Sequence, residues 1–132
     1  MEHIDSAYAI ALFRNLKEED LAYSNTGIFQ FEITDSSSVI LHFSMVDLYH
    51  VALRYDENIP NTRSGLAWYS CNGEADATII DTGDENYVPK NAVLTIDEAL
   101  ESINQFFENP LNKPDNIAWN NADNFDWDLP SY

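Results

Sequence analysis

Three successive segments alternate side chains with a period of two, and this pattern constrains the fold more than any other feature of the chain. Over residues 28–33, Phe29, Phe31 and Ile33 share one face while Gln30 and Glu32 point the other way. Ser36-Ser37-Ser38 breaks the run, after which Val39, Leu41, Phe43 and Met45 alternate with Ile40, His42 and Ser44. Beyond a turn near Asp47, Tyr49, Val51, Leu53 and Tyr55 alternate with His50, Ala52 and Arg54. Successive side chains of a strand point to opposite faces, so such segments with short polar breaks predict an antiparallel meander with one buried face. Residues 56–64, which include Pro60, read as a loop. Residues 66–71 and 78–81 read as further strands divided by the Asn72-Gly73 turn signal.

Helical signals flank this region. Asp5 can cap a helix over residues 6–16, where Tyr8, Leu12 and Leu16 recur at every fourth position. Thr95-Ile96-Asp97-Glu98 matches the S/T-x-x-E capping box, in which Thr95 and Glu98 satisfy each other's exposed backbone donors. Ile96, Ala99, Leu100, Ile103, Phe106 and Phe107 then form one apolar stripe, which Asn109-Pro110 ends. Residues 115–119 suggest a last short strand. The expected fold class is α+β: a mostly antiparallel sheet with an N-terminal helix and a helix in the C-terminal third packed on one face. With 132 residues and no linker or repeat, the chain reads as a single domain, 1–132, with an acidic aromatic tail at 120–132.

Charge narrows the function. Six Lys and Arg face 23 Asp and Glu, for a formal net charge of −17. Direct nucleic-acid binding draws its affinity from Lys and Arg, and anionic membranes attract the same residues, so neither is an expected partner. The 45% hydrophobic content is too rich for a disordered acidic chain. A lone Cys71 cannot form an internal disulfide, and neither a signal peptide nor an apolar run of membrane-spanning length is present, so a cytoplasmic location is expected.

The sequence also lacks G-x-S-x-G, H-E-x-x-H, Walker and G-x-G-x-x-G motifs, and it has only 4 glycines. His42 and His50 fall on the same outer sheet face as possible cross-strand neighbours, yet no Cys or carboxylate stands at a supporting metal-ligand spacing. Cys71 reads as a half-buried packing residue at a strand end. The oxygen-rich stretches 81–86 and 123–128 do not fit the EF-hand loop. No catalytic residue, metal or cofactor is expected. A charge of −17 exceeds the about 2–8 that solubility asks of a small domain, and its self-repulsion costs stability, which points to a use. The expected partner-binding residues are Asp81, Asp84, Glu85 and Tyr87 in one loop, with Asp126, Trp127 and Asp128 in the tail. In each, an aromatic adjoins carboxylates, a combination suited to interface centres.

Several segments together resemble immunity protein family one of bacterial polymorphic toxin systems. They are Leu66-Ala67-Trp68-Tyr69, Tyr87-Val88-Pro89, the helix over residues 96–107, Pro114, and Ile117-Ala118-Trp119. Where members often carry a glycine after the helix, this chain has Asn109-Pro110-Leu111-Asn112-Lys113. The resemblance implies a stoichiometric inhibitor of a cognate toxin domain, commonly a nuclease or nucleic-acid deaminase with a basic substrate groove. The charge, taken alone, also points to a basic protein partner. Two alternatives stay open: an acidic regulatory or nucleic-acid-mimic protein bound to a basic host factor, and a small carboxylate-dependent enzyme.

Overall fold

The computed structural model describes Ala11, Lys17 and residues 25–34, 36–58, 67–82 and 87–122. The meander is present as β1 (Thr26–Thr34), β2 (Ser37–Asp47), β3 (His50–Asn58) and β4 (Ala67–Cys71). Next come β5 (Ile79–Asp81) and β6 (Tyr87–Pro89), a 3₁₀ turn (Lys90–Ala92), β7 (Val93–Thr95), helix α1 (Ile96–Glu108) and β8 (Ala118–Asn121). All pairings are antiparallel, in the order β1-β2-β3-β4-β8, while β5 and β6 form a separate two-stranded ribbon. Along the outer edge of β3, β7 pairs with residues 50–52 and β4 with residues 54–56.

The alternation decides which face is buried. Val39, Leu41 and Met45 of β2 and Val51, Leu53 and Tyr55 of β3 lie in the core with Leu94, and α1 covers them with Ala99, Leu100, Ile103 and Phe106. Phe29, Phe43, Trp68, Phe107 and Trp119 pack around this centre. Gly27 stands opposite Phe43, and a Cβ there would lie 2.3 Å from the Phe43 ring, so glycine permits the close approach. At the junction where β3 changes neighbours, Ser70 joins the strands. Its hydroxyl accepts from the Leu53 N–H at 3.0 Å and donates to the Ala92 carbonyl at 2.6 Å.

Helix α1 begins as its capping box predicts: the Glu98 N–H donates to Thr95 Oγ1, and the Thr95 N–H donates to Glu98 Oε1. The segment after α1 returns to the sheet through fixed contacts. Tyr55 Oη donates to the Pro110 carbonyl at 2.8 Å, Lys113 Nζ sits 4.0 Å from the Trp68 ring centre, and Trp119 Nε1 donates to the Pro114 carbonyl at 2.7 Å. Burial pushes the Tyr55 phenol up to about 12, so it stays a donor.

Several expectations need correction. Gly73 does adopt a positive φ of 91°, but Asn72-Gly73 does not close a hairpin: β4 pairs with β3 and β8, and β5 pairs with β6. Asp56 belongs to β3 rather than to a loop. Phe31 and Ile33, assigned to the buried face, are 45% and 42% exposed, because α1 reaches β1 through the Phe107 ring only as far as Phe29. His42 and His50 are not cross-strand neighbours, since the register sets Arg54 opposite His42 and Asp47 opposite His50. The expected N-terminal helix lies outside the described residues except for Ala11, which is helical, so α1 is the helix seen packing on the sheet. No helix among the described residues is long and apolar enough to cross a membrane.

Candidate functional site

The face of the sheet opposite α1 carries the polar positions of the alternation. The β5–β6 ribbon covers part of it, with Val88 joining Ala52, Tyr69 and Ala92 in a second small core and Ile80 packed against that core. Two clefts border the ribbon.

The first cleft is acidic. It encloses about 580 Å³ and is bordered by Asp47, His50, Glu74, Asp76 and Lys90, with Val46, Ile80 and Val93 as apolar walls. Three separate chain segments build it. The β2–β3 turn supplies Asp47, whose Oδ1 accepts from the Tyr49 N–H at 2.7 Å and lies 2.9 Å from His50 Nδ1. Burial pushes the Asp47 carboxyl up, but the Tyr49 N–H and the His50 contacts together outweigh it and hold it below the usual range. The 72–78 segment supplies Glu74 and Asp76. The Thr78 hydroxyl and N–H bond Asp76 Oδ1 at 2.6 and 3.1 Å, and with Lys90 at 3.5 Å they depress its pKa. Asp47 and Asp76 therefore remain ionised at neutral pH. Tyr49, 69% exposed, stands beside His50. The cleft can hold a long cationic side chain, its stem along the apolar wall and its head at the carboxylates. Among the described residues no group of His, Cys, Asp or Glu is arranged to hold a metal ion.

The second cleft is a shallow trough of about 220 Å³. It follows directly from the register. One cross-strand row, Thr26, Ser44 and Ala52, is small, and the next, Ile28, His42, Arg54 and Tyr69, is large. The small row forms the floor, the large row one wall, and Val88 of the ribbon also lines the space. Behind the wall, Asp56 binds Arg54 in a two-pronged pair, with Nε to Oδ1 and Nη2 to Oδ2 both at 2.7 Å. Hydrogen bonding to Asp56 keeps the Arg54 guanidinium fully charged. His42 Nε2 lies 3.1 Å from Asp56 Oδ2. Burial raises the Asp56 pKa, and the His42 and Arg54 contacts more than reverse this.

Of the residues expected to bind a partner, Asp81 and Tyr87 are brought together as the cross-strand pair at the end of the ribbon where the chain passes from β5 to β6. Asp81 is exposed and Tyr87 half-buried. Asp84, Glu85, Asp126, Trp127 and Asp128 lie outside the described residues. Sequence reasoning did not bring Asp47, His50 and Asp76 together, because they converge only after folding. Arg54 and Asp56 were within its reach, since residues two apart on a strand share a face. Cys71 ends β4 half-buried. Comparison with protein-family models, with curated proteins and with solved structures gives no match to this chain.

Proposed function

We propose that the chain is an immunity protein, which binds and neutralises a cognate basic toxin domain of the nuclease or nucleic-acid deaminase type. The observation that carries this reading is the acidic cleft, in which carboxylates from the β2–β3 turn and the 72–78 segment stand over an apolar wall on a chain of net charge −17. Such a surface suits the Lys and Arg of a substrate groove. The segments that carry the family resemblance fall largely in β4, β6, α1 and β8. In this reading the binding face runs from the cleft along the ribbon to Asp81 and Tyr87, and Asp84 and Glu85 are proposed to join it. Asp126, Trp127 and Asp128 of the tail are proposed to join it.

The test pairs this chain with the toxin domain encoded beside its gene. Co-expression should rescue growth. Stopped-flow association should slow steeply between 0.1 and 1 M salt, as the screening length falls from about 10 to about 3 Å. Asp47→Lys with Asp76→Lys should weaken binding at least about tenfold, with the fold retained. A toxin that stays active beside the chain, or an association rate indifferent to salt, would count against the reading.

A further inference from the structure

Strand β1 ends the strand order, and among the described residues no strand pairs with its outer edge. One step beyond the Thr26–Ser44 pair, the Met45 N–H donates to the Asn25 carbonyl. Hydrogen-bonded pairs alternate along an antiparallel ladder, so Gly27, Phe29 and Phe31 turn their backbone groups toward β2. Ile28, Gln30 and Glu32 turn theirs outward. Edges of this kind are commonly blunted by Lys, Pro or a bulge. Over its nine residues β1 has neither Lys nor Pro, its one charge is Glu32, and its bulge waits until the end, between Glu32 and Thr34. Ile28, Phe31 and Ile33 are 53%, 45% and 42% exposed.

A row of outward N–H and C=O groups is matched by an added strand, not by a helix, whose own backbone bonds are internal. A basic partner would meet one carboxylate along this whole edge, against three at the acidic cleft. A second copy of β1 fits better, because the strand is complementary to itself. With a two-fold axis at Gln30, that residue exchanges both backbone hydrogen bonds with Gln30 of the second copy. Ile28 does the same with Glu32 of the second copy, so each outward group of the three residues finds a partner. Phe29 then faces Phe31 of the second copy in the closer, non-hydrogen-bonded pairing, and the axis repeats this aromatic pair. The two Glu32 residues fall four positions apart along the ladder, about 14 Å, beyond the screening length of about 8 Å at physiological salt. We propose that the chain forms a two-fold dimer in which two β1 edges pair antiparallel about Gln30, joining both sheets into one. This dimer does not depend on the inhibitor reading.

Sedimentation velocity on the full chain, over a concentration series, should show a reversible monomer–dimer equilibrium. It should tighten between about 0.1 and about 1 M salt, as screening weakens the repulsion between two chains of charge −17. Gln30→Pro removes one outward N–H from each copy and spares the bonds to β2, so it should raise the dimer Kd at least about tenfold. Should that variant fail to fold, Gln30→Lys changes only an exposed side chain. It sets two cations opposite each other at the axis and should weaken the dimer about fivefold, even though it lowers the net charge. Glu32→Lys, which faces Ile28 of the second copy, should not weaken it. In a Cys71→Ser background, Gln30→Cys should close a disulfide between copies under air, and Glu32→Cys should not. A chain that stays monomeric throughout the series would overturn the proposal and leave the edge to residues 1–24 or to a partner strand. A dimer that both Gln30→Pro and Gln30→Lys leave intact would overturn it too, since its interface would lie elsewhere.

Discussion

Replacing Ser70 by alanine removes one oxygen from a fully buried position and leaves two backbone groups without partners. The Leu53 N–H sits between the β3 residues that pair with β7 and those that pair with β4, and Ser70 Oγ is the acceptor that receives it. The Ala92 carbonyl likewise loses the hydroxyl that donates to it. An unpaired buried group costs about 1–3 kcal/mol, so the pair should cost ~2–6 kcal/mol. The space vacated by one hydroxyl oxygen is smaller than the ~30 Å³ share of a water molecule, so solvent does not repair the loss. Urea titration followed by tryptophan fluorescence reads the effect. With a slope of about 2 kcal/mol/M, the midpoint should fall by roughly 1–3 M. Ser102→Ala is the control. Ser102 is equally buried, but its single hydroxyl proton is shared between the Glu98 carbonyl and Asn116 Oδ1, and Asn116 Nδ2 still serves that carbonyl. Its loss should be near the ~0.5–1.5 kcal/mol of an ordinary hydrogen bond. If Ser70→Ala costs no more than Ser102→Ala, the bridging role assigned to Ser70 is wrong.

Further outcomes follow from the helix and from the Asp56 pair. Thr95→Ala should lower stability by ~0.5–2 kcal/mol through loss of the cap, measured by the same titration. Phe106→Ala, which empties a core position 2% exposed, should cost about 3–5 kcal/mol; unchanged stability would place that ring outside the core. The Asp56 pKa is depressed on folding, so its stabilisation is fully present above the ordinary value of 3.8 and is lost as pH falls through the folded value. Wild type and Asp56→Asn should therefore differ most at neutral pH and converge in acid, in denaturant titrations across that window; a gap independent of pH would contradict the ionic pair.

The meander and α1 were legible because each rests on a local signal repeated many times. Val39, Leu41, Val51, Leu53 and Tyr55 are buried at the positions the alternation assigns, and Thr95 and Glu98 cap α1 as their spacing implies. What the sequence hid depends on distant partners. Asn72-Gly73 carries a hairpin signal, yet β4 is occupied by β3 on one side and β8 on the other, so the turn leads elsewhere. At three residues each, β6 and β7 are too short to display a period. The acidic cleft was unreadable for the same reason: Asp47, Asp76 and Lys90 meet only when the ribbon folds onto the sheet. The trough could have been anticipated once the register was known, because it is the offset between a small row and a large one.

The position of β8 at the end of the strand order has a consequence for how the chain is made. Strand β4, Ala67-Trp68-Tyr69-Ser70-Cys71, is uncharged and free of proline, the composition that invites pairing with other chains when its edge is bare. Its outer neighbour lies about fifty residues later, at Ala118–Asn121. Synthesis at about 5–20 residues per second leaves that edge open for roughly 3–10 s after Cys71 is joined. The β1–β3 meander can assemble within this interval, since its strands lie next to one another along the chain. The aromatic edge of β4 must wait for the last strand of the sheet to leave the ribosome.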